Sequence, residues 1–551
     1  MPTGWPKGTW WSFGSCSHRR VLRLWTSCFY QETRNRPRVG CVRVTFDCIR
    51  AANPQEREAP MSGIAGVLSS QHRDVLPRIL KKIEHRGTVP PDVWVGPRAS
   101  LGATALGTLQ ENPGPIAMRD DEIAIVMDGR LTNRESLQGL LEFHRVRGNS
   151  DAEVVLHAYE ELGTRVFGRL EGEFALAIVD GERFVLARDR LGIKPLYYGF
   201  RGEALCFASE IKGLVGVADP IHEFPPGHFL ISDQGLYPYD PYFPEPVRLE
   251  GALDSAEQLK ACLRNAVESS IWPDVEVGVW LSGGVDSSVI AAVARPFVDR
   301  LYAFSAGVEG APDLHYARQV ARHVGAEYHE RIYTIDEMIA VLEKVIYHLE
   351  SFDAPLVRSA VSNYLVSELA SDYVPFVLSG EGGDELFAGY AYQKSYQSEI
   401  ELTLSLQEAI AALHNTALQR ADRSASAFST GVAVPFLAPD VVRLALAIPA
   451  RWKIRGRQEM EKWPLRQAFA DVLPQEVIWR SKSKFWEGSG SGEALARFVE
   501  TAISDEEFNA ERDIGDGHQL RSKEELMYYR IFKQHFGDSV PLQEVGRTRH
   551  V

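Results

Sequence analysis

Cysteine is scarce in this chain: its 551 residues hold six, and four of those (Cys16, Cys28, Cys41 and Cys48) fall in the first sixty positions. Beyond Met61 only Cys206 and Cys262 remain, too few for a disulfide framework and consistent with a reducing cytoplasm as the expected compartment. Long apolar runs are also missing. No uninterrupted stretch approaches the ~20 residues of a membrane span, which argues against a membrane protein. Positive charge is in deficit, and a net charge of −14 argues against general nucleic-acid binding while saying little about fold. The hydrophobic fraction of 45% and charged fraction of 24% are those of an ordinary water-soluble chain, long enough for roughly two to four domains.

The charge is unevenly spread. Residues 1–60 carry ten lysines and arginines against four acids, a balance of +6, so the remainder carries −20. This segment also holds four of the eleven tryptophans and lacks the apolar core of a secretory signal. We expect residues 1–60 to be a non-conforming extension, an overextended start with Met61 the true first residue. An organelle transit peptide is the alternative.

Two glycine-rich segments stand out. Val277-Gly-Val-Trp-Leu-Ser-Gly-Gly-Val-Asp-Ser-Ser288 and Phe376-Val-Leu-Ser-Gly-Glu-Gly-Gly-Asp-Glu385 each read as a short apolar strand running into a small turn. In α/β proteins such turns present backbone N–H groups to phosphate, so ATP is the implied ligand. Gly283 and Gly284 permit close approach of the main chain; Ser282, Ser287 and Ser288 offer hydroxyls; Asp286 and Asp384 supply hard oxygen ligands suited to Mg2+. Leu281, Ser379 and Gly380 complete the expected nucleotide-binding set.

Between residues 61 and 217 short β-type runs alternate with turns, as in Ile64–Leu68, Ile123–Met127, Phe174–Val179, Phe184–Ala187 and Leu205–Ala208. Helical patterns interrupt them at Leu76–Glu84 and Glu153–Leu162, the second opening with a capping-box sequence, Ser150-Asp-Ala-Glu153. Residues 218–255 are rich in proline and aromatics and read as a linker. Over 256–538 helical and strand patterns alternate, which implies a doubly wound, mostly parallel sheet with ligands at the carboxyl ends of its strands, followed by a mainly helical part. Residues 539–551 form a tail. The expected class is therefore a multidomain α/β and α+β protein.

From residue 61 to about 538 the chain resembles glutamine-using asparagine synthetases. The resemblance rests on Ser282-Gly-Gly-Val-Asp-Ser287, Ser379-Gly-Glu-Gly-Gly-Asp384, Ala187-Arg-Asp-Arg-Leu-Gly-Ile-Lys-Pro-Leu-Tyr-Tyr198, Phe207-Ala-Ser-Glu-Ile-Lys-Gly-Leu214, Val345-Ile-Tyr-His-Leu-Glu350 and Met460-Glu-Lys462. It implies an amino-terminal-nucleophile domain at 61–217 and an ATP pyrophosphatase domain that adenylates aspartate and passes ammonia to it, giving asparagine, AMP and pyrophosphate. By the same resemblance Lys462 neutralises phosphate charge, Glu381 handles the proton of the incoming ammonia, and Glu350, Asp353 and Arg358 lie near the substrate pocket. A homodimer is left open. The alternatives are a tailoring enzyme that amidates another metabolite or peptide carboxylate, and a non-catalytic ATP-binding or scaffold protein.

The first domain departs from its family's pattern. Ser62 stands where the family has its cysteine nucleophile, and Ala105 replaces the arginine that grips the carboxylate of glutamine. Asp128-Gly129-Arg130 replaces an Asn-Gly-Glu segment that supplies an oxyanion donor and binds the substrate amine. Asp151 alone is retained, and a helix cap accounts for it. The expectation is a glutaminase domain that has lost its activity.

Overall fold

The computed structural model describes residues 61–106, 116–118, 123–146, 150–239, 252–272, 274–455, 460–481, 488–489, 491–515 and 517–548. The extension at 1–60, residues 240–251 of the expected linker and the last three residues of the tail lie outside the described residues; the first part of the expected linker is instead strand, since Ile221–Glu223, His228–Ile231 and Gly235–Pro238 pair into the sheets of the first half. Among the described residues no helix is long and apolar enough to cross a membrane.

Twelve strands come first: β1 (Met61–Leu68), β2 (Val89–Val95), β3 (Ser100–Ala105), β4 (Ile116–Met118), β5 (Ile123–Leu131), β6 (Gly172–Asp180), β7 (Arg183–Arg188), β8 (Tyr197–Arg201), β9 (Ala204–Ala208), β10 (Ile221–Glu223), β11 (His228–Ile231) and β12 (Gly235–Pro238). They form two six-stranded antiparallel sheets, ordered β10-β8-β9-β1-β3-β2 and β12-β11-β7-β6-β5-β4. The inner faces share one core, in which Ile64, Leu101 and Phe207 of the first sheet meet Ile125, Val126 and Leu176 of the second. β5 and β6 are buried along nearly their whole length, which is why both read as continuous apolar runs rather than as alternating ones. Helix α1 (Leu76–Ile83) covers the first sheet and α2 (Asp151–Leu162) packs on β5. The capping box expected at Ser150 does not form: Ser150 makes no side-chain cap bond, and α2 starts two residues before the expected Glu153.

The second half is built on five strands: β13 (Val277–Trp280), β14 (Leu301–Gly307), β15 (Glu327–Ile332), β16 (Phe376–Leu378) and β17 (Gly431–Ala433). All four pairings are parallel, in the order β15-β14-β13-β16-β17. Helices α3 (Ala252–Ser270), α4 (Val285–Ala294) and α5 (Pro312–Val324) bury one face of the sheet. Next in the chain come α6 (Ile335–Leu349), α7 (Ala354–Ser371) and α8 (Gly383–Phe387), then α9 (Ala417–Ser426); α7 and α9 cover the other face through Val366, Ala370, Ala421 and Ala425, against Trp280, Tyr302, Phe304 and Val377. Sequence patterning misses β15 because it is an edge strand with few buried side chains, and β17 because only three residues pair. In α7, burial on nearly all sides erases the helical period.

The two halves meet over an apolar core in which Ile79 of α1 and Leu214 share neighbours with Leu342 and Ile346 of α6 and Val361 of α7. Inside that contact lies a fully buried ionic cluster. Arg86 donates to Glu210 at 2.7 Å and to both oxygens of Asp422 at 2.8 and 2.9 Å. Arg423 contacts Asp422 at 2.7 Å and Glu350 at 3.1 Å. Lys212 pairs with Glu350 at 3.0 Å and with Glu210. Three cations balance three carboxylates, so none is left uncompensated away from water.

Removing one member exposes its partners to that cost. Arg423→Met is expected to lower the unfolding free energy by about 3–5 kcal/mol, measured by urea denaturation. Burial alone raises the carboxyl of Asp422, but the charge and hydrogen bonds of Arg86, then the charge of Arg423, outweigh it and hold the group at about 2. A depressed carboxylate stabilises the fold above its unfolded value of ~3.9. That contribution is therefore expected to vanish as the pH falls from about 4 to about 2, as an acid limb in the urea midpoint that Asp422→Asn flattens.

Candidate active site

The strand order reverses between β13 and β16, the first and fourth strands of the parallel sheet, which lie side by side with Val279 opposite Leu378. A crevice opens at such a reversal beyond the carboxyl ends of the strands. Both glycine-rich segments run into it. The turn after β13 packs on α5 so closely that a Cβ on Gly283 (φ +71°) would lie 2.5 Å from Tyr316. The turn after β16 touches the start of α4, since a Cβ on Gly380 would lie 2.9 Å from the Ser287 nitrogen.

Local bonds shape the first turn. The Ser282 N–H donates to Ser287 Oγ at 3.2 Å, the Gly284 N–H to Ser282 Oγ at 3.3 Å, and Ser288 Oγ to the Gly284 carbonyl at 2.7 Å. Asp286, in the first turn of α4, and Asp384, at the start of α8, converge on one ammonium. Lys462 precedes the helix α10 (Trp463–Ala468), with its backbone in the left-handed region (φ +57°). Its side chain is almost wholly buried, pairing with Asp286 and lying 2.7 Å from Asp384 Oδ1. A Cβ on Gly389 would meet Asp384 Oδ1 at 1.9 Å and Lys462 Cε at 2.4 Å, so glycine is required there.

The resulting cleft is also bordered by Leu281, Ser379 and Glu381. Its donor set fits a nucleotide triphosphate: hydroxyls and backbone N–H groups at a helix start, a buried lysine, and the guanidiniums of Arg420, Arg466 and Arg480. The carboxylates of Asp286 and Asp384 are hard oxygen donors of the kind Mg2+ takes. Glu381 is paired with Arg420 at 2.5 Å, and its N–H donates to Ser379 Oγ at 3.4 Å. Just behind, Glu385 accepts a hydrogen bond from Tyr390; burial, then the charge of Asp384, push its carboxyl up to about 7.

The other residues expected near the substrate lie elsewhere. Glu350 belongs to the ionic cluster between the halves and accepts the N–H groups of Ile211 and Lys212 at 3.1 and 2.7 Å. Asp353 caps α7 by accepting the Leu356 N–H at 3.2 Å and also pairs with Arg521 and with Thr548 Oγ1. Arg358 forms a fork with Glu524, which Tyr528 also contacts at 2.7 Å. None of the three is among the residues that border the cleft.

In the sandwich, Ser62 sits at an irregularity in the pairing of β1 with β3, and its side chain lies outside the described residues. Ala105 is buried at the end of β3. Gly129 (φ +115°) lets β5 approach β6, where a Cβ would lie 1.9 Å from the Glu173 carbonyl. Asp128 is wholly buried, 3.7 Å from both Arg86 and Lys194, and neither of its oxygens has a hydrogen-bond partner. Burial raises its carboxyl, with Lys194 and then Arg86 opposing. Arg130 does not stand in the pocket as a misplaced charge: it donates to Glu173 at 2.7 Å, to the Ser269 carbonyl at 2.5 Å and to Ser270 Oγ at 2.9 Å, with its guanidinium over Trp272. Asp151 is the first residue of α2 and accepts the Leu131 N–H at 2.7 Å, so it bridges to β5 instead of capping its helix.

Sequence reasoning missed three cleft arginines. Arg466 follows Lys462 by one helical turn, a spacing that gave a usable signal. Arg420, on α9, and Arg480, which contacts Asp313 at 2.6 Å and the Tyr316 ring, come from distant segments with no local mark of their purpose.

The family model for asparagine synthase matches residues 258–408 and 398–544, and that for the glutamine amidotransferase domain matches 61–226. The chain is 33% identical over 521 residues to asparagine synthetase (glutamine-hydrolyzing) 2 of Arabidopsis thaliana, covering 87% of this chain and 88% of that one. It is 32% identical over 480 residues to asparagine synthetase B (glutamine-hydrolyzing) of Escherichia coli strain K12, covering 82% and 86%. With a nucleotide cleft at a parallel-sheet switch point, an enzyme of the ATP-using ligase class is defined. The chain belongs to the asparagine synthetase family. The amidotransferase match means that loss of glutamine hydrolysis finds no support at the level of the domain; it rests on the pocket residues alone.

The close packing at Gly389 is testable. Gly389→Ala displaces Lys462 or Asp384 by about an ångström and is expected to lower ATP-dependent pyrophosphate release roughly 100-fold while leaving the thermal unfolding midpoint within a few degrees of wild type.

Proposed function

We propose that this enzyme adenylates the side-chain carboxylate of aspartate with ATP and transfers ammonia to it, and that ammonia rather than glutamine is its nitrogen source. The observation that carries the first part is the convergence of Asp286 and Asp384 on Lys462 at the β13–β16 switch point. A carboxylate oxygen attacks the α-phosphorus and pyrophosphate leaves; ammonia then attacks the acyl carbon and AMP leaves. Bringing an anion to a triphosphate is opposed by charge, and Lys462 with the cleft arginines offsets it. Mg2+ held by Asp286 and Asp384 supplies Lewis-acid charge when bound. Glu381 takes the proton of the incoming ammonia, held in place by Arg420.

The second part draws on the sandwich. Ala105 has no cation for a substrate carboxylate, and Arg130 is engaged with Ser269, Ser270 and Trp272. Asp128 brings a buried carboxyl where an amide donor is needed. These substitutions keep the domain as a folded partner for the synthetase half.

Full-length protein given Mg-ATP and aspartate is expected to release pyrophosphate with ammonium and not with glutamine. Equal rates with glutamine sink the ammonia reading, and pyrophosphate release indifferent to aspartate points to a different carboxylate. Lys462→Ala should lower kcat by about 100- to 1000-fold with the fold intact by circular dichroism.

A further inference from the structure

Away from the cleft, two histidines and a glutamate meet on the outer side of the sandwich. His157 and Glu160 lie one turn apart on α2, and His144 reaches them from the loop before it. His157 Nδ1 is 3.3 Å and His144 Nε2 is 3.4 Å from the same oxygen, Glu160 Oε2. The three ligand atoms lie within 4.8 Å of one another. The edges of a tetrahedron with metal–ligand arms of ~2.0–2.1 Å are about 3.3 Å, close to the two nitrogen-to-oxygen distances here.

Carboxylates back both imidazoles. Glu161 accepts the N–H groups of Glu142, Phe143 and His144 at 2.9, 2.9 and 2.8 Å, which fixes its position, and its Oε1 is 2.9 Å from His144 Nδ1. A fixed acceptor there places the imidazole proton on Nδ1 and turns the Nε2 lone pair toward Glu160. On the second ring, Nδ1 lies 3.3 Å from Glu160 Oε2 and Nε2 lies 3.7 Å from Glu153, so Nδ1 donates to Glu160 while no ion is bound, and a carboxylate stands ready on the Nε2 side to take the proton when a metal displaces it. Two imidazole nitrogens and a carboxylate oxygen thus converge on one space, where a cation can take the place of an imidazole proton. Carboxylate-backed histidines are the usual surroundings of a bound transition metal. Glu160 is nearly buried and His144 is part-exposed, leaving a fourth position on the solvent side.

We propose that His144 Nε2, His157 Nδ1 and Glu160 Oε2 bind one divalent transition-metal ion, zinc in the first place, with water as the fourth ligand. Imidazole with carboxylate suits zinc, and the tetrahedral spacing is smaller than the cages calcium takes. The ion ties the loop carrying His144 to α2, and so acts as a staple of the sandwich and not in the ligase cleft.

The test uses the full chain, freed of metal with a chelator and titrated with Co2+ alone. The expected result is a visible absorption band of tetrahedral cobalt that saturates at one ion per chain and is displaced by Zn2+. Zn2+ alone should also raise the thermal unfolding midpoint. The double variant His144→Ala, His157→Ala should lose both responses while keeping its circular dichroism and pyrophosphate release. Glu161→Gln, which touches no metal, should keep the cobalt band and weaken binding about 10- to 100-fold. No stoichiometric band in the wild type, or a band unchanged in the double variant, overturns the proposal; the first outcome leaves the two imidazoles in contact with Glu160 and no ion between them.

Discussion

The six charges sealed between the two halves constrain everything else in the molecule. Arg86, Glu210 and Lys212 come from the sandwich, whereas Glu350, Asp422 and Arg423 come from the helices around the parallel sheet. Each is almost wholly buried; the sandwich side holds two cations to one carboxylate and the other side one cation to two, so the charges balance only when Arg86 meets Asp422 and Lys212 meets Glu350 across the contact. Apolar packing of α1 against α6 and α7 supplies the area, but it is tolerant of sliding; the ionic cluster is not. Docking of the halves is thereby fixed to within a hydrogen-bond length.

That constraint reaches the cleft through α9. The helix places Asp422 and Arg423 in the cluster, and two residues earlier it directs Arg420 toward Glu381. The electrostatics of Glu381 are thus set by an element whose position depends on the sandwich. The first domain therefore also serves the synthetase half, because it completes the interface that holds α9. Arg130 acts in the same direction by fastening β5 to the end of α3.

Much of the fold was legible because local patterning and global burial agreed. The apolar runs before each glycine-rich turn became β13 and β16, and both turns arrived in one crevice. Legibility failed where burial or edge position removed the period, at α7 and β15. The contacts of Glu350, Asp353 and Arg358 were not legible either: an interface charge, a helix cap and a fork to Glu524. The Asp151 carboxylate was read as a cap because it opens a helix, yet the nearest unsatisfied donor was the Leu131 N–H on the neighbouring strand.

By itself the sequence determined the chemistry on offer: glycines where the main chain must pass close to phosphate or to its own side chains, two aspartates, one glutamate and one lysine in recognisable segments. It did so because turn geometry and phosphate binding are properties of a few adjacent residues. Only the tertiary structure decided that Lys462 lies between Asp286 and Asp384, that Arg420 meets Glu381, and that His144 meets His157. Those pairings join segments up to 176 positions apart, and a contact at that range follows from how helices and sheets pack, which no local pattern encodes.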